Sequence, residues 1–597
     1  MKQRNWTRIV SLFTIFCLLL TINPFITTAK NYDQDIQSVD TGTDGMVSTS
    51  HPIASQIGAD ILNKGGNAVD AAVAIQYALN VVEPMMSGIG GGSFMMVYDA
   101  DEDDITIINS RERAPAGATA DMFLNESGGI IPFQERVRHG NSVGVPGTLK
   151  GLEEALDRWG SRSRQQLITP AIQLAENGFK VDGQLASFIV SNAEKLSATA
   201  AGDVFLPGGE PVKEGELLVQ SDLANTLKKI RKHGTDALYH GEIAVAIAEV
   251  VQDFGGSMTA EDLANYNLSV NKPVYGNYKD YRIASMPPPS SGGTFLIQML
   301  KILEDFDLGQ YDVRSFEKYH LLAETMRLAY ADRAAFAADP EFVDVPVNGL
   351  LHPDYIEERR SLISLDSRMD ETPPGDAWSY EEGAADYDVE AAEHDADEQP
   401  GETTHFTVAD RWGNVVSNTS TIEQVFGSGI MVPGHGFMLN NELTDFDARP
   451  GGANEVEPGK RPLSSMTPTM VLDEEGKPVL TLGSPGGPRI ITAVLQVFLN
   501  ITDYGMDLEE AVKEPRIYNT HTTQMWWEEG IPEDMRAQMT DIGHSLQTNP
   551  NSVGNVQTIL IDYETSQFYG VADERREGAA IGINRPGNSS GKDQGKN

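Results

Sequence analysis

Residues 401–414 read GETTHFTVADRWGN and stand at an abrupt change of composition. Upstream, YDVEAAEHDADEQPGE (387–402) is acidic and has no periodicity. Downstream, THFTVAD, RWGN and VVSNTST read as two strands joined by a four-residue turn, rich in the β-branched and aromatic residues that strands favour. The wider stretch 370–402, dominated by Asp, Glu, Gly and Pro, reads as the one long interior linker. Thr403 and Thr404 therefore open a strand where a linker ends. A threonine hydroxyl is a nucleophile only when a base lies close, and the most economical base is the residue's own α-amino group, with a pKa of about 7.7–8.0. An internal threonine acquires that amine only if the bond before it is cut. A linker that can be released while the strand stays in its sheet suits such a cut. By itself, though, Thr-Thr at a strand start has an ordinary structural reading.

Working outward, the small apolar run AVDAAVAIQYALNVV after Asn67 predicts a helix buried between layers. MSGIGGGSFMMVYD leads through glycines into a strand over 94–98, and ITIINSRERAPAGA predicts a strand carrying Arg111 and Arg113 up to Pro115. Leu149, Leu152 and Leu156 form a helical stripe, Thr259 and Asp262 a capping-box pattern, and MPPPSSGG a rigid turn before a helix starting after Gly293. MTPTMVL and KPVLTLGS predict further strands, and RIITAVLQVFLNI a helix. Strands and helices mix in both halves without regular βαβ alternation, which implies α+β layers. No internal repeat is present, and the tail 586–597 has the composition of a disordered end.

The chain has 597 residues and a formal net charge of −42, from 45 basic and 87 acidic side chains. That field repels nucleic acid and anionic membranes, and its plain reading is solubility. Residues 1–29 combine Lys2, Arg4 and Arg8 with an apolar run and small residues at 27–29, the pattern of a secretory signal peptide; a short uncleaved anchor is the alternative. The single cysteine, Cys17, lies inside that segment, so the exported chain has neither disulfides nor a thiol nucleophile. Missing too are HExxH, CxxC, a Walker lysine and a GxSxG elbow, which removes the common zinc, redox, nucleotide and serine-hydrolase readings; no metal or cofactor is implied.

Around Thr403, LNNELTDFDARPGGANE brings Asn441, Glu442, Thr444 and Asp445 close in sequence, and RPLSSMTP offers Ser464 and Ser465. GSPGGPRI sets Gly486 and Gly487 just ahead of a helix, where backbone N–H groups can hold an oxyanion. Nucleophile, hydroxyls, carboxylates and N–H donors in one segment suit acyl transfer. Taken singly, each also has an ordinary reading as a turn or a helix cap.

TTHFTVAD, NNELTDF, RPLSSMTP and GSPGG, with GGNAVDAAVA, SRERAP and MPPPSSGG upstream, together closely resemble the γ-glutamyltranspeptidases, in order and over essentially the whole exported chain. The resemblance implies an N-terminal-nucleophile hydrolase. Its fold would be a four-layer αββα sandwich formed jointly by a large subunit (30–402) and a small catalytic subunit (403–597), cut from one precursor at Glu402–Thr403. It implies Thr403 as nucleophile, Thr421 as its hydrogen-bond partner, and Gly486 and Gly487 as the oxyanion hole. Arg111 would grip the α-carboxylate of a γ-glutamyl group with Ser464 and Ser465, and Asp445 its α-ammonium with Glu423 and Glu442; Arg113 stands nearby as support. The connection from Asp445 to Ser464 is shorter than in relatives with a lid loop, which resembles the lid-less bacterial branch and its bulky substrates, poly-γ-glutamate included. The expected activity is a secreted γ-glutamyltransferase and glutathione hydrolase that passes the γ-glutamyl group to water, amino acids or peptides, free of the membrane once the signal is removed. Two other readings remain open here: a cephalosporin (glutaryl) acylase-like relative, and an unprocessed protein that only captures γ-glutamyl solutes.

Overall fold

A computed structural model describes residues 37–382 and 401–585. The signal-like segment with Cys17, residues 383–400 of the acidic stretch and the tail from 586 lie outside them. Fourteen strands form two seven-stranded sheets. In chain order they are β1 (Val39–Gly42), β2 (Gly45–Thr49), β3 (Gly92–Asp99), β4 (Asp104–Asn109), β5 (Ser269–Asn271), β6 (Val274–Tyr278) and β7 (Tyr281–Ser285). After position 402 come β8 (Thr403–Asp410), β9 (Val415–Thr421), β10 (Thr469–Leu472), β11 (Pro478–Gly483), β12 (Gln557–Asp562), β13 (Gln567–Ala572) and β14 (Ala579–Gly582). One sheet runs β14-β2-β8-β9-β3-β4-β5 and the other β1-β13-β12-β11-β10-β7-β6, with antiparallel neighbours throughout.

The expected hairpin is β8–β9. Thr403 pairs with Thr421 and Thr404 with Ser420, down to Ala409 opposite Val415. Its turn is tied by Asp410, whose Oδ1 accepts the N–H groups of Trp412 (2.8 Å) and Asn414 (3.0 Å), while Gly413 takes the positive φ of 94° that the loop requires. β2 and β3 flank this hairpin, so Thr403 starts a central strand.

The two sheets pack face to face through Met46, Phe94, Met96, Ile107, Met470, Ile559 and their neighbours. Helix α1 (Pro52–Asn63) and α2 (Ala68–Val82) cover the outer face of the β8–β9 sheet. α2 is buried at all 15 positions, as its small apolar sequence predicts, and starts in a capping box between Asn67 and Asp70. α3 (Gly292–Leu303), α4 (Phe316–Phe336) and α5 (Arg489–Thr502) cover the other sheet and share its core. Helix, sheet, sheet, helix is the expected αββα sandwich. Both sheets mix strands from before and after position 402, so neither part completes a sheet alone.

Two details differ from the sequence reading. β4 ends at Asn109, so Arg111 lies just past the strand rather than within it; only Arg113 makes a bridge, to Val145. Acidic composition also conceals order at 370–382. A 3-10 turn over Ala377–Tyr380 packs there with Ala377 buried, Gly375 N–H donates to Asp332 (3.0 Å), and the Pro373 carbonyl accepts from Arg359 (2.9 Å).

Candidate active site

The chain is continuous through the Glu402–Thr403 peptide, which four groups surround. Thr403 Oγ1 donates to Thr421 Oγ1 at 3.3 Å, and Thr421 Oγ1 donates to the Glu402 carbonyl at 3.0 Å. Thr421 also accepts from the Glu423 N–H at 2.8 Å, and the Glu423 carbonyl accepts from the Glu402 N–H at 2.6 Å. Glu423 makes both backbone contacts with φ at 76°, a left-handed conformation that costs a non-glycine residue about 1–3 kcal/mol and tends to occur where function demands it. The Thr421 hydroxyl thus connects the Thr403 hydroxyl to the neighbouring Glu402 carbonyl.

Gly486 and Gly487 follow β11 and precede α5, both with positive φ (130° and 56°). Their carbonyls accept the N–H groups of Arg489 (3.2 Å) and Ile490 (3.1 Å), and N–H groups ahead of a helix start have no partner within the helix. Gly401 packs onto this loop so closely that a Cβ on Gly487 would stand 2.9 Å from Gly401 N. Segment 401–402 therefore lies across the glycines.

Thr404 sits on the other side of the strand, fully buried. Its hydroxyl donates to Glu83 Oε2 (2.8 Å) and lies 2.6 Å from Ser50 Oγ, which itself reaches Glu83 at 2.8 Å.

The adjoining cavity measures about 100 Å³ and is lined by Arg111, Thr403, Thr421, Glu423, Glu442, Asp445, Ser464, Ser465 and Gly487, among others. Sites that take drug-sized ligands run from ~300 Å³ upward, so with segment 401–402 in place the space is only partly open. Arg111 is buried, pairs with Glu442, and meets Asp445 Oδ2 at 2.6 Å; its remaining donors reach the carbonyls of Pro462 (3.2 Å) and Leu463 (2.8 Å). Burial opposes its charge, but Glu442, Asp445 and Glu112 outweigh burial and hold it ionised. Burial pushes Glu442 up to about 7 against the pull of Arg111, and raises Glu423 well above the carboxylate range with help from Asp445.

All ten residues expected in the site converge here, Gly486 immediately beside the lining. Arg113 does not: it bonds the carbonyls of Asn267 (3.1 Å) and Gly459 (2.7 Å) and pairs with Glu341 at 2.8 Å.

Three residues escaped sequence reasoning. Arg333, on α4, donates to Ser465 Oγ (3.0 Å) and Ser291 Oγ (2.9 Å) and lines the cavity. Glu112 is fully buried beside Arg111, and burial and Glu442 raise its pKa well above the ordinary range. Arg576 pairs with Glu402 and donates to the Thr403 carbonyl at 3.0 Å. Only Glu112 carried a signal, as the acid inside the SRERAP motif.

The short connection 446–463 is tied down at its base. Asn454 Nδ2 donates to the Asp445 carbonyl (2.7 Å), its Oδ1 accepts the Leu463 N–H (3.0 Å), and the Lys460 carbonyl accepts the Ala114 N–H (2.9 Å).

Comparison with known proteins gives concordant matches. Residues 54–583 fit the family model described as gamma-glutamyltranspeptidase. The chain is 61% identical over 588 residues to the glutathione hydrolase proenzyme of Bacillus subtilis strain 168, covering 98% of this chain and 99% of that one. It is 40% identical over 548 residues to the acylase ACY 1 proenzyme of Pseudomonas sp. strain SE83, covering 91% and 94%. Among solved structures, cephalosporin acylase from Bacillus halodurans superposes with a TM-score of 0.82 at 28% identity, over 94% of this chain and all of that one.

Proposed function

The chain belongs to the γ-glutamyltranspeptidase family, and from that premise we propose that Thr403 is its nucleophile, first in cutting its own precursor and then in turnover. The protein is an N-terminal-nucleophile enzyme made as a proenzyme, a glutathione hydrolase and γ-glutamyltransferase whose two subunits come from one chain.

In the precursor, the Thr403 hydroxyl attacks the Glu402 carbonyl carbon. Thr421 accepts from the attacking hydroxyl and donates to the carbonyl oxygen, so it supports the nucleophile and the developing oxyanion together. The C–N bond breaks, the proton from the hydroxyl ends on the departing Thr403 nitrogen, and Glu402 is left as an ester on Thr403 Oγ1. Water cleaves that ester, giving a Glu402 carboxylate and a Thr403 with free hydroxyl and free amine. Segment 401–402 must then leave the Gly486–Gly487 loop before substrate can enter.

In turnover, the free amine takes the hydroxyl proton as Oγ1 attacks the γ-carbonyl of the donor, whose oxygen lies toward the N–H groups of Gly486 and Gly487. The amine then protonates the leaving nitrogen. Water, an amino acid or a peptide amine resolves the γ-glutamyl ester. The Arg111–Asp445 pair beside Thr403 carries the choice of acyl group. A γ-glutamyl group brings an α-carboxylate, which suits the planar fork of Arg111 with the hydroxyls of Ser464 and Ser465, and an α-ammonium, which suits Asp445 flanked by Glu423 and Glu442. A glutaryl group brings no cation to these carboxylates, which sets the acylase reading second despite the 40% identical relative.

The N-terminal segment supports export, with residues 1–29 removed and the enzyme acting outside the cell; among the described residues no helix is long and apolar enough to cross a membrane. The test is to incubate processed enzyme with glutathione and with γ-glutamyl and glutaryl anilides, with and without an acceptor dipeptide. Release from the γ-glutamyl donors, increased by the dipeptide, is expected. Preference for the glutaryl anilide overturns the donor assignment.

A further inference from the structure

Arg576 lies outside the donor pocket yet touches the residues on both sides of the Glu402–Thr403 peptide. It stands in the short connection between β13 and β14, the latter an edge strand beside β2 in the same sheet as β8. Nη1 donates to the Thr403 carbonyl at 3.0 Å, and Nη2 pairs with the Glu402 carboxylate. Arg489 Nη2 stands 4.0 Å from the other oxygen of the same carboxylate. Its own position is fixed by bonds from Nε to the Gly486 carbonyl (2.9 Å) and from Nη1 to the Ser552 carbonyl (3.2 Å), and by the Trp526 ring, 5.0 Å away. All three charged side chains are largely buried, so this contact is poorly screened by water.

Attack across a single peptide is a demanding geometry. The hydroxyl and the carbonyl carbon belong to neighbouring residues, and an extended backbone leaves torsions on each side of the bond free to carry them apart. Hydrogen bonds from Thr421 and to Glu423 hold the carbonyl and the N–H of Glu402, the residue before the bond. The fork of Arg576 adds a restraint that spans the bond, because one rigid planar group holds the residue before it by its side chain and the residue after it by its backbone. A lysine has one charged atom and cannot span the two in that way. Misplacement of reacting atoms by about 1 Å can cost a factor of 10² in rate, so such a restraint has kinetic weight.

From this geometry we infer that Arg576, backed by Arg489, is a positioning residue for self-cleavage that selects an acidic side chain at position 402. The inference rests on the reading of Thr403 as the residue that cuts its own chain. Glu402 accordingly takes part in precursor processing through its side chain as well as its carbonyl, and the cationic pair marks a carboxylate site separate from Arg111.

The test follows full-length chain made in a cell-free reaction, with conversion of one band to two read over time on a denaturing gel and the new N-terminus identified by mass. Arg576→Ala and Glu402→Ala are each expected to slow conversion by about 10- to 100-fold. Arg576→Lys should recover part of the rate, and the double variant should be no slower than the slower single one, because both remove the same contact. Introducing Arg576→Ala into a Thr403→Ala chain, which cannot convert, reports on folding through its unfolding temperature. If that form fails to fold, Arg576→Lys and Glu402→Gln carry the same comparison. Conversion of Arg576→Ala at the wild-type rate, or single effects that multiply in the double variant, overturns the inference and leaves the nucleophile assignment intact. Conversion of Thr403→Ala itself overturns that assignment instead.

Discussion

The two ends of the cleft have opposite electrostatics. At the donor end the Arg111 guanidinium lies among the carboxylates of Glu112, Glu423, Glu442 and Asp445, while Arg333 reaches Ser465 in the same cavity. At the cut end a single carboxylate, Glu402, lies between the guanidinium groups of Arg489 and Arg576. The first arrangement suits a visitor that carries both charges and comes and goes. The second suits a negative group that belongs to the chain and is held for one reaction. On the proposed reading Thr403 stands between them and serves both: the segment cut once and the amides cut many times meet the same hydroxyl and the same glycine loop, but different charged groups hold them.

The largest effect is expected from removing the residue that the two ends share. Thr403→Ala should remain one chain on a denaturing gel and lose on the order of 10³-fold or more of its activity; two chains would show that the cut does not depend on Thr403. Next, Arg111→Ala belongs to the donor end alone. It should still convert to two chains, while kcat/KM for a γ-glutamyl anilide falls by about 10²–10³-fold, as expected when a buried ion pair loses one partner. Failure to convert would mean that the ends are not separable.

A smaller effect separates acyl groups. Asp445→Asn should raise KM for the γ-glutamyl anilide by roughly 10- to 100-fold, the scale of one charge-assisted contact, and leave any turnover of a glutaryl anilide unchanged. The smallest effect is in pH. Glu442 is pushed up to about 7 from an ordinary value of 4.5. Between those values the folded protein keeps a proton that the unfolded chain has released, so this contribution to stability is complete below about 4.5 and is lost as pH rises through about 7. Glu442→Gln lacks the titrating group. The unfolding temperature of the wild type, measured relative to Glu442→Gln, should therefore fall as pH rises across that window; a constant difference would place the raised pKa elsewhere.

Much of this was legible in the sequence, and for local reasons. The β8–β9 hairpin shows in its β-branched residues and its RWGN turn, and α2 in its apolar run after Asn67. Eight of the ten expected site residues were legible through motifs that keep their chemistry within a few positions, and Thr421 and Glu423 through the family resemblance. Arg333 and Arg576 were not, because their partners are far away in sequence: Arg333 meets Ser465 across 132 positions and Arg576 meets Glu402 across 174. An arginine in a helix or a turn has no local signature for such a meeting. The same limit explains Arg113, which shares a motif with Arg111 but is taken up by Glu341. At 370–382, composition suggested a linker where a few long-range bonds to Asp332 and Arg359 suffice to fix the backbone.

The hydroxyl of Thr404, bound to Ser50 and Glu83, bears on the fidelity of the cut. Successive strand residues face opposite ways, so a cut displaced by one position would offer a fresh amine to a side chain on the wrong side of the sheet. That side chain is already engaged in a closed polar triangle, and Ser420, rather than Thr421, is its partner across the hairpin. Strand pairing therefore works as a ruler: on the proposed reading, a chain trimmed one residue too far is expected to be inert, however well it folds.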